Sequence, residues 1–307
     1  MYTRREFAGM ALAGLALPRP PAAGPTLKIG GVRIGAQSYS FRALPRPPGG
    51  DLVDVLVNAF TACGLGECEL WSPQIEPAAP SIARGDTPEL QQARTEARTT
   101  LRRWRVETPL EHFRAIRQKF AAAKIAVRAF NYSFNDSFTD EEIDRGFVIA
   151  RALGAEWITA SSTLSSARRV APFADKHKMF VGMHNHSNVN DPNEFATPES
   201  FAAAMKMSKY FKVNLDVGHF TAANQDAMGY LRAHHADITN LHVKDLRKNQ
   251  GENMPWGQGD TPIREVLQLL KRSKWPIPAY IEYEYRGTGT PIDEVKRGFD
   301  YMRQALA

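Results

Sequence analysis

Eight short runs rich in β-branched and aromatic residues recur along this 307-residue chain, and no other feature narrows its fold as much. They are VRIGAQSYS (32–40), GECELWS (66–72), IAVRAFNYS (125–133), AEWITASS (155–162), MFVGMHNHS (179–187), FKVNLDVGH (211–219), ITNLHVKD (238–245) and AYIEYEY (279–285). Helical periodicity separates them, as in LVDVLVNAFTACG, PLEHFRAIRQKFAAAK, DEEIDRGFVIARALG, PESFAAAMKMS, AMGYLRAHH, PIREVLQLLKRS and IDEVKRGFDYMRQAL. Eight strands alternating with helices predict an α/β fold, a (β/α)8 TIM barrel. Segment 74–105 reads as an insertion after the second strand, with its own helix. No low-complexity linker interrupts residues 25–307, which read as one barrel domain.

Side chains alternate between the two faces of a strand, which tests this expectation. Val213 and Leu215 alternate with Asn214 and Asp216, Leu241 and Val243 with Asn240, His242 and Lys244, and Ile281 and Tyr283 with Glu282 and Glu284. The apolar set would face the helices and the polar set the barrel interior. Polar groups gather toward the C-terminal ends of these strands, where barrels of this kind carry their active sites. His184 and His186, two residues apart, should share a face. The last four strands then offer His184, Asp216, His242 and Glu282 at one mouth, a cage for one divalent cation such as Mn²⁺, Co²⁺, Zn²⁺ or Mg²⁺. Each residue also has a plain structural role open to it: Asp216 as a helix cap, His242 as a packed core histidine, Glu282 as an ion-pair partner of Lys244. Four at matching depth argue jointly for a site.

The formal charge is +6, from 39 Lys and Arg against 33 Asp and Glu. Much of the basic excess lies in ARTEARTTLRRWR (93–105), whose charges read as a solvated helix face rather than a nucleic-acid patch. Thr3, Arg4, Arg5 and Phe7 precede the short apolar run AGMALAGLALP and the small-residue stretch RPPAAGP. That order predicts a twin-arginine export signal over residues 1–24, a periplasmic or otherwise exported location, and no stable membrane anchor. Cys63 and Cys68 are too few for a disulfide framework and read as core residues.

LDVGH, LHVKD, WGQGD and YIEYEY, in this order, together with IGAQSYSF and CELWS, resemble the sugar phosphate isomerase/epimerase family of xylose isomerase-like barrels, in the AP endonuclease 2 superfamily. The resemblance implies that Asp216, His242 and Glu282 bind the metal and that Glu282 also moves protons. It places His184 at the strand-five ligand position, where the family's epimerases usually carry Glu. By the same resemblance His219 contacts substrate or, in the endonuclease branch, a second metal, with a helix-start histidine as its plain alternative. Lys244 is a candidate to hold an oxyanion or carboxylate, and His186, Glu69 and Glu284 are candidates to bind substrate. The loop Gly257, Gln258, Gly259 and Asp260 either wraps a ligand or is a simple turn.

The expected chemistry is proton abstraction beside a carbonyl, with Glu282 as base and His219, His186 or Lys244 as the second acid or base. Export favours an unphosphorylated ketose or 3-keto-sugar as the small-molecule partner. Epimerisation or isomerisation is the first expectation, and a lyase or hydratase acting on 3-keto-glycosides the second. A non-catalytic carbohydrate-binding protein is the alternative from another class. A DNA repair nuclease on this barrel would need extra histidines on the early strands, and the first three strands offer none, so no nucleic-acid partner is expected. Homo-oligomers are common among relatives of this kind, which leaves one open here.

Overall fold

A closed barrel follows if every parallel strand finds its neighbour through a crossover helix, and the computed structural model, which describes residues 27–46 and 52–307, has this arrangement. The expected export signal at 1–24 lies outside the described residues. The barrel strands are Val32–Gln37 (β1), Glu67–Trp71 (β2), Ala126–Asn131 (β3), Trp157–Ala160 (β4), Phe180–His184 (β5), Phe211–Asp216 (β6), Ile238–Val243 (β7) and Ala279–Ile281 (β8). Each pairs in parallel with the next, and β8 pairs with β1 through Tyr280 opposite Gly35, so the sheet has no free edge in the barrel. The helices are Leu52–Ala62 (α1), Pro88–Glu107 (α2), Leu110–Ala122 (α3), Asp140–Leu153 (α4), Leu164–His177 (α5), Pro198–Met205 (α6), Val217–Ala222 (α7), Ala227–His234 (α8), Ile263–Ser273 (α9) and Pro291–Leu306 (α10). The insertion helix is α2. The helical patterns above do not include α5, whose interior Pro172 breaks the usual signature of a helix.

Every barrel strand stops before its run of β-forming residues ends, and the reason is local chemistry at the rim. The Gln37 side chain accepts from the Tyr39 amide and starts a 3₁₀ turn over Ser38–Phe41. Asp216, the last residue of the ladder, also caps α7, its side chain accepting from the His219 amide at 2.6 Å. After β7 the chain turns into a small antiparallel pair, Asp245–Leu246 with Asn253–Met254. His186, His219, Lys244, Glu282 and Glu284 therefore sit just beyond strand ends rather than within them.

Alternation sorts the side chains as expected. Val213, Leu215, Leu241, Val243 and Ile281 are buried in the apolar layer under the helices. Inside the barrel, Ala129, Trp157 and Tyr280 form a separate apolar cluster, tied to polar neighbours by Trp157 Nε1 donating to Asn240 Oδ1 (3.0 Å) and Tyr280 Oη donating to Glu67 Oε2 (3.1 Å). Gly35 is required there, because a Cβ would stand 2.7 Å from the Tyr280 ring. Cys63 and Cys68 are free and buried.

Charge rather than apolar area anchors the insertion helix. Arg105 is the buried residue of α2, and its guanidinium forks onto Glu76 at 2.8 and 3.1 Å. It also reaches Glu142 at 3.4 Å and lies 4.6 Å from the centre of the Phe138 ring. Removing one partner from such a cluster strands the others in a dry environment. Arg105→Ala should lower stability by about 3 kcal/mol in urea unfolding; a loss under about 1 kcal/mol would mean that water reaches Glu76 and Glu142 without it.

Candidate active site

The ends of β5 to β8 bring four side chains to one depth. His184, Asp216, His242 and Glu282 each offer a ligand atom, and these atoms all lie within 4.8 Å of one another. All four residues are buried. The register produces this: Asp216 stands opposite His242 across β6 and β7, and His184 stands opposite Asn214 across β5 and β6. His184 Nδ1 is buried with no partner, whereas the buried Asp216 Oδ2 lies 3.1 Å from Lys244 Nζ and His242 Nδ1 lies 3.2 Å from Glu282 Oε2. Buried polar atoms are nearly always paired, so an unpaired imidazole nitrogen within reach of a second imidazole and two carboxylates fits a divalent cation.

Around this quartet the charges are arranged in layers. Below it, Glu69 accepts from His242 Nε2 at 2.9 Å, Asn240 Nδ2 at 2.9 Å and Thr159 Oγ1 at 2.6 Å. That bond keeps a proton on His242 Nε2 and turns Nδ1 toward the quartet, 3.2 Å from Glu282 Oε2. Glu69, expected as a substrate-binding residue, is fully buried and lies beneath the cavity rather than on its wall, because its carboxylate is taken up by these partners. Above the quartet, the Lys244 ammonium lies 3.1 Å from Asp216, 2.9 Å from Glu282 and 2.6 Å from Glu284. Both plain roles weighed for Asp216 and Glu282 are thus present together with the cluster.

Burial and these neighbours set the protonation. Burial would raise the Glu282 carboxyl, but Lys244 and His242 outweigh it and hold it well below the usual carboxylate range. Burial pushes Asp216 up to about 7 against the pull of the same ammonium. Burial also opposes a charge on His242, yet Glu69 and Glu282 on its two nitrogens raise it well above an ordinary histidine. Burial, reinforced by His242, drives His184 well below the ordinary value, so it is a neutral ligand.

A cavity of about 230 Å³ opens over the quartet, lined also by His186, His219, Lys244 and Glu284. His184, His186 and His219 form a second group of converging imidazoles, with the His186 and His219 ring centres 5.2 Å apart. The loop Gly257 to Asp260 is absent from the lining; the Asp245 carboxylate accepts from the amides of Gly257, Gly259 and Thr261 and folds it as a turn. Sequence reasoning missed Glu194, which accepts from or pairs with His186 Nδ1 at 3.1 Å from a loop eight residues on. It also missed the wall formed by Gln37, Tyr39, Trp71, Asn131, Ser133 and Ser161. Position at a strand end marks Gln37, Trp71 and Asn131; no motif marks Glu194.

The family described as xylose isomerase-like TIM barrel matches residues 141–305, more than half of the chain. The protein belongs to that family. Among relatives, L-ribulose-5-phosphate 3-epimerase UlaE of Salmonella paratyphi A is 28% identical over 143 residues, 44% of this chain and 50% of that one. UlaE of Escherichia coli is 28% identical over 98 residues, 32% and 34% of the two chains. The chain thus spans half or less of the length of these relatives. Two solved structures share the fold: 3-keto-D-glucoside 4-epimerase YcjR from E. coli (TM-score 0.61, 9% identity, 88% of this chain and 98% of that one) and a sugar phosphate isomerase/epimerase from Parabacteroides distasonis (0.58, 16%, 93% and 98%). In this chain the barrel carries, at its C-terminal mouth, a His/Asp/Glu group fit to hold a metal.

Cation binding must expel the protons that Asp216 and His242 hold. Affinity for Mn²⁺ or Zn²⁺ should fall about tenfold or more from pH 8 to pH 6, with proton release seen by calorimetry in buffers of different ionisation heat. Affinity flat across that window would contradict the assigned protonation. Glu69→Gln should weaken metal binding by about 10- to 100-fold through loss of the His242 tautomer lock.

Proposed function

We propose that this protein is a metal-dependent sugar isomerase or epimerase acting on an unphosphorylated ketose or 3-keto-sugar through an enediolate. The observation that carries the reading is the convergence of His184, Asp216, His242 and Glu282, with His184 Nδ1 buried and unpaired among them. A divalent cation, Mn²⁺, Co²⁺, Zn²⁺ or Mg²⁺, held by these four would supply Lewis-acid polarisation of a substrate carbonyl. Glu282 is the base. Its Oε2 is engaged by Lys244 and its carboxyl is held ionised, which leaves Oε1 to take the proton from the carbon beside the carbonyl. Lys244, fixed among carboxylates, keeps that side chain aimed and sets a positive charge near the enediolate oxygen. His186 and His219 are the groups left to return a proton to carbon, which yields the epimer.

The absence of a spare cation supports an unphosphorylated substrate. Among the described residues lining the cavity the one Lys or Arg is Lys244, and its ammonium already serves three carboxylates. A phosphate dianion, as carried by the substrate named for UlaE, would meet no free positive side chain there. The basic, apolar and small-residue order at 3–24 supports an exported enzyme, where phosphorylated sugars are scarce.

One observation favours a second reading. The symmetrical epimerase reaction uses two carboxylates, and β5 supplies His184 in place of one. Proton loss to Glu282 followed by cleavage of a β C–O bond, with a proton passing from His186 to the leaving oxygen, is the corresponding elimination; it is the lyase alternative on 3-keto-glycosides.

The test is metal-dependent uptake of deuterium at carbon. Free ketohexoses and 3-keto-glucosides incubated in D₂O with metal-loaded protein should gain carbon-bound deuterium by NMR and lose that gain with chelator. Glu282→Gln should cut the exchange by about 10³-fold. Products separate epimer from elimination. Sugar binding without any exchange, from protein shown to hold metal, would overturn the enzyme reading in favour of a binding protein.

A further inference from the structure

The cavity has two unlike halves. Every wall residue supplied by β5 to β8 and the segments after them is titratable, whereas the half supplied by β1 to β4 consists of Gln37, Tyr39, Trp71, Asn131, Ser133 and Ser161, all uncharged. We infer that this neutral half is a subsite for a closed pyranose ring, with Trp71 and Tyr39 as the surfaces on which the ring packs, so that the substrate is a glycoside or other cyclic sugar rather than an open-chain ketose. The inference rests on the carbohydrate reading above and adds to it a ring form and the residues that select it.

Trp71 and Tyr39 are built to present fixed surfaces. Their rings meet edge to face, with centroids 4.8 Å apart and planes at 81°. The Trp71 amide donates to Ser38 Oγ at 2.8 Å, and Ser38 in turn donates to Gln74 Oε1 at 2.5 Å while Gln74 Nε2 donates back to Ser38 O at 3.0 Å. Ser38 and Gln74 are buried, so this lock is dry. The Arg42 guanidinium lies 4.3 Å from the centre of the Tyr39 ring and ties it to the chain after β8 by donating to Tyr283 O at 2.6 Å. Both rings remain partly exposed where they line the cavity. Two large apolar surfaces held open beside a polar catalytic mouth carry an unmet hydrophobic demand.

A pyranose meets that demand and an open chain does not. One face of the ring carries several C–H groups in a flat array that packs on an indole or phenol, while its hydroxyls point outward around the rim. The neutral wall supplies the matching polar groups. Gln37 Nε2 and Ser161 Oγ make no hydrogen bond among the described residues, and Ser133 Oγ is shared between the Asn131 side chain and the Ser161 amide. These are uncharged amide and hydroxyl groups that both donate and accept, as sugar hydroxyls do, and none brings a positive charge to balance a carboxylate or phosphate. An open-chain ketose turns no flat apolar face to either ring and would leave the Trp71 surface wet.

The probe is methyl β-D-glucopyranoside, a cyclic sugar with no carbonyl, used on the full chain with and without Mn²⁺. Saturation-transfer NMR should mark its ring C–H protons, and calorimetry should show Trp71→Ala weakening its binding about tenfold, with Trp71→Phe within about threefold of the parent. Dihydroxyacetone, an open-chain ketone, should lose less than about twofold with Trp71→Ala. Mn²⁺ affinity equal to the parent's certifies that the variant is folded; if Trp71→Ala does not fold, Tyr39→Ala is read in the same way. Binding of the glucoside unaffected by either variant, equal losses for glucoside and dihydroxyacetone, or no glucoside binding by the parent would each overturn the subsite. Glucoside binding needs no turnover, so a protein that binds through Trp71 yet never exchanges deuterium keeps the subsite and loses the reaction, and the converse result does the reverse.

Discussion

A buried ammonium among three carboxylates organises the mouth of this barrel. Lys244 contributes one charge to Asp216, Glu282 and Glu284, all within 3.1 Å, in a place with almost no access to water. Burial works against a charged lysine, and the three carboxylates outweigh it, so Lys244 is held well above its ordinary range. Burial pushes Asp216 up to about 7, with Glu282 adding to the rise, while Lys244 and His242 hold Glu282 ionised against its own burial. One ammonium among three carboxylates is a standing demand for further positive charge at the point where His184 and His242 also converge.

The strand order of the barrel brings these charges together, on strand ends and on the residues that follow them. β5 to β8 are adjacent in the sheet, so one residue from the end of each lands on a common arc. Glu69 arrives from the other side of the barrel, on β2, and fixes His242 from below. The remaining strands carry no charge to the cavity, and the pair of aromatic rings on that side is set by the short turns after β1 and β2. A closed barrel can therefore divide one cavity into a half lined by titratable groups and a half lined by uncharged ones.

Periodicity made the barrel legible. Val213, Leu215, Leu241 and Val243 fall on the helix side, and Asp216 and His242 on the inner side, because alternation on a strand is a matter of geometry alone. The same logic extended each strand too far, since β-forming residues continue past Asp216 and Ile281 while the backbone turns away to make caps and turns. Glu69 was visible as an inward residue, but its exclusion from the cavity depends on Asn240 and Thr159, which are distant in sequence. Glu194 was not visible at all, because a loop has no period from which the direction of a side chain follows. The aromatic wall was hidden for a related reason: Tyr39 and Trp71 look like ordinary strand residues until Ser38 and Gln74 are seen to pin the turns.

The histidine at 184 has an electrostatic meaning. Glu69, Asp216, Glu282 and Glu284 surround the site with four carboxylates, and Lys244 supplies the one fixed cation among them. With a divalent ion present and the histidines neutral, the formal total would be one excess negative charge; a glutamate at 184 would make it two. A reaction through an enediolate builds a further negative charge in this low-dielectric space, and each additional fixed anion within a few ångströms opposes it. A neutral imidazole at 184 keeps the ligand and removes one such anion. It also leaves the strand-five position without a carboxylate, and the groups that line the rim beside it are the imidazoles of His186 and His219.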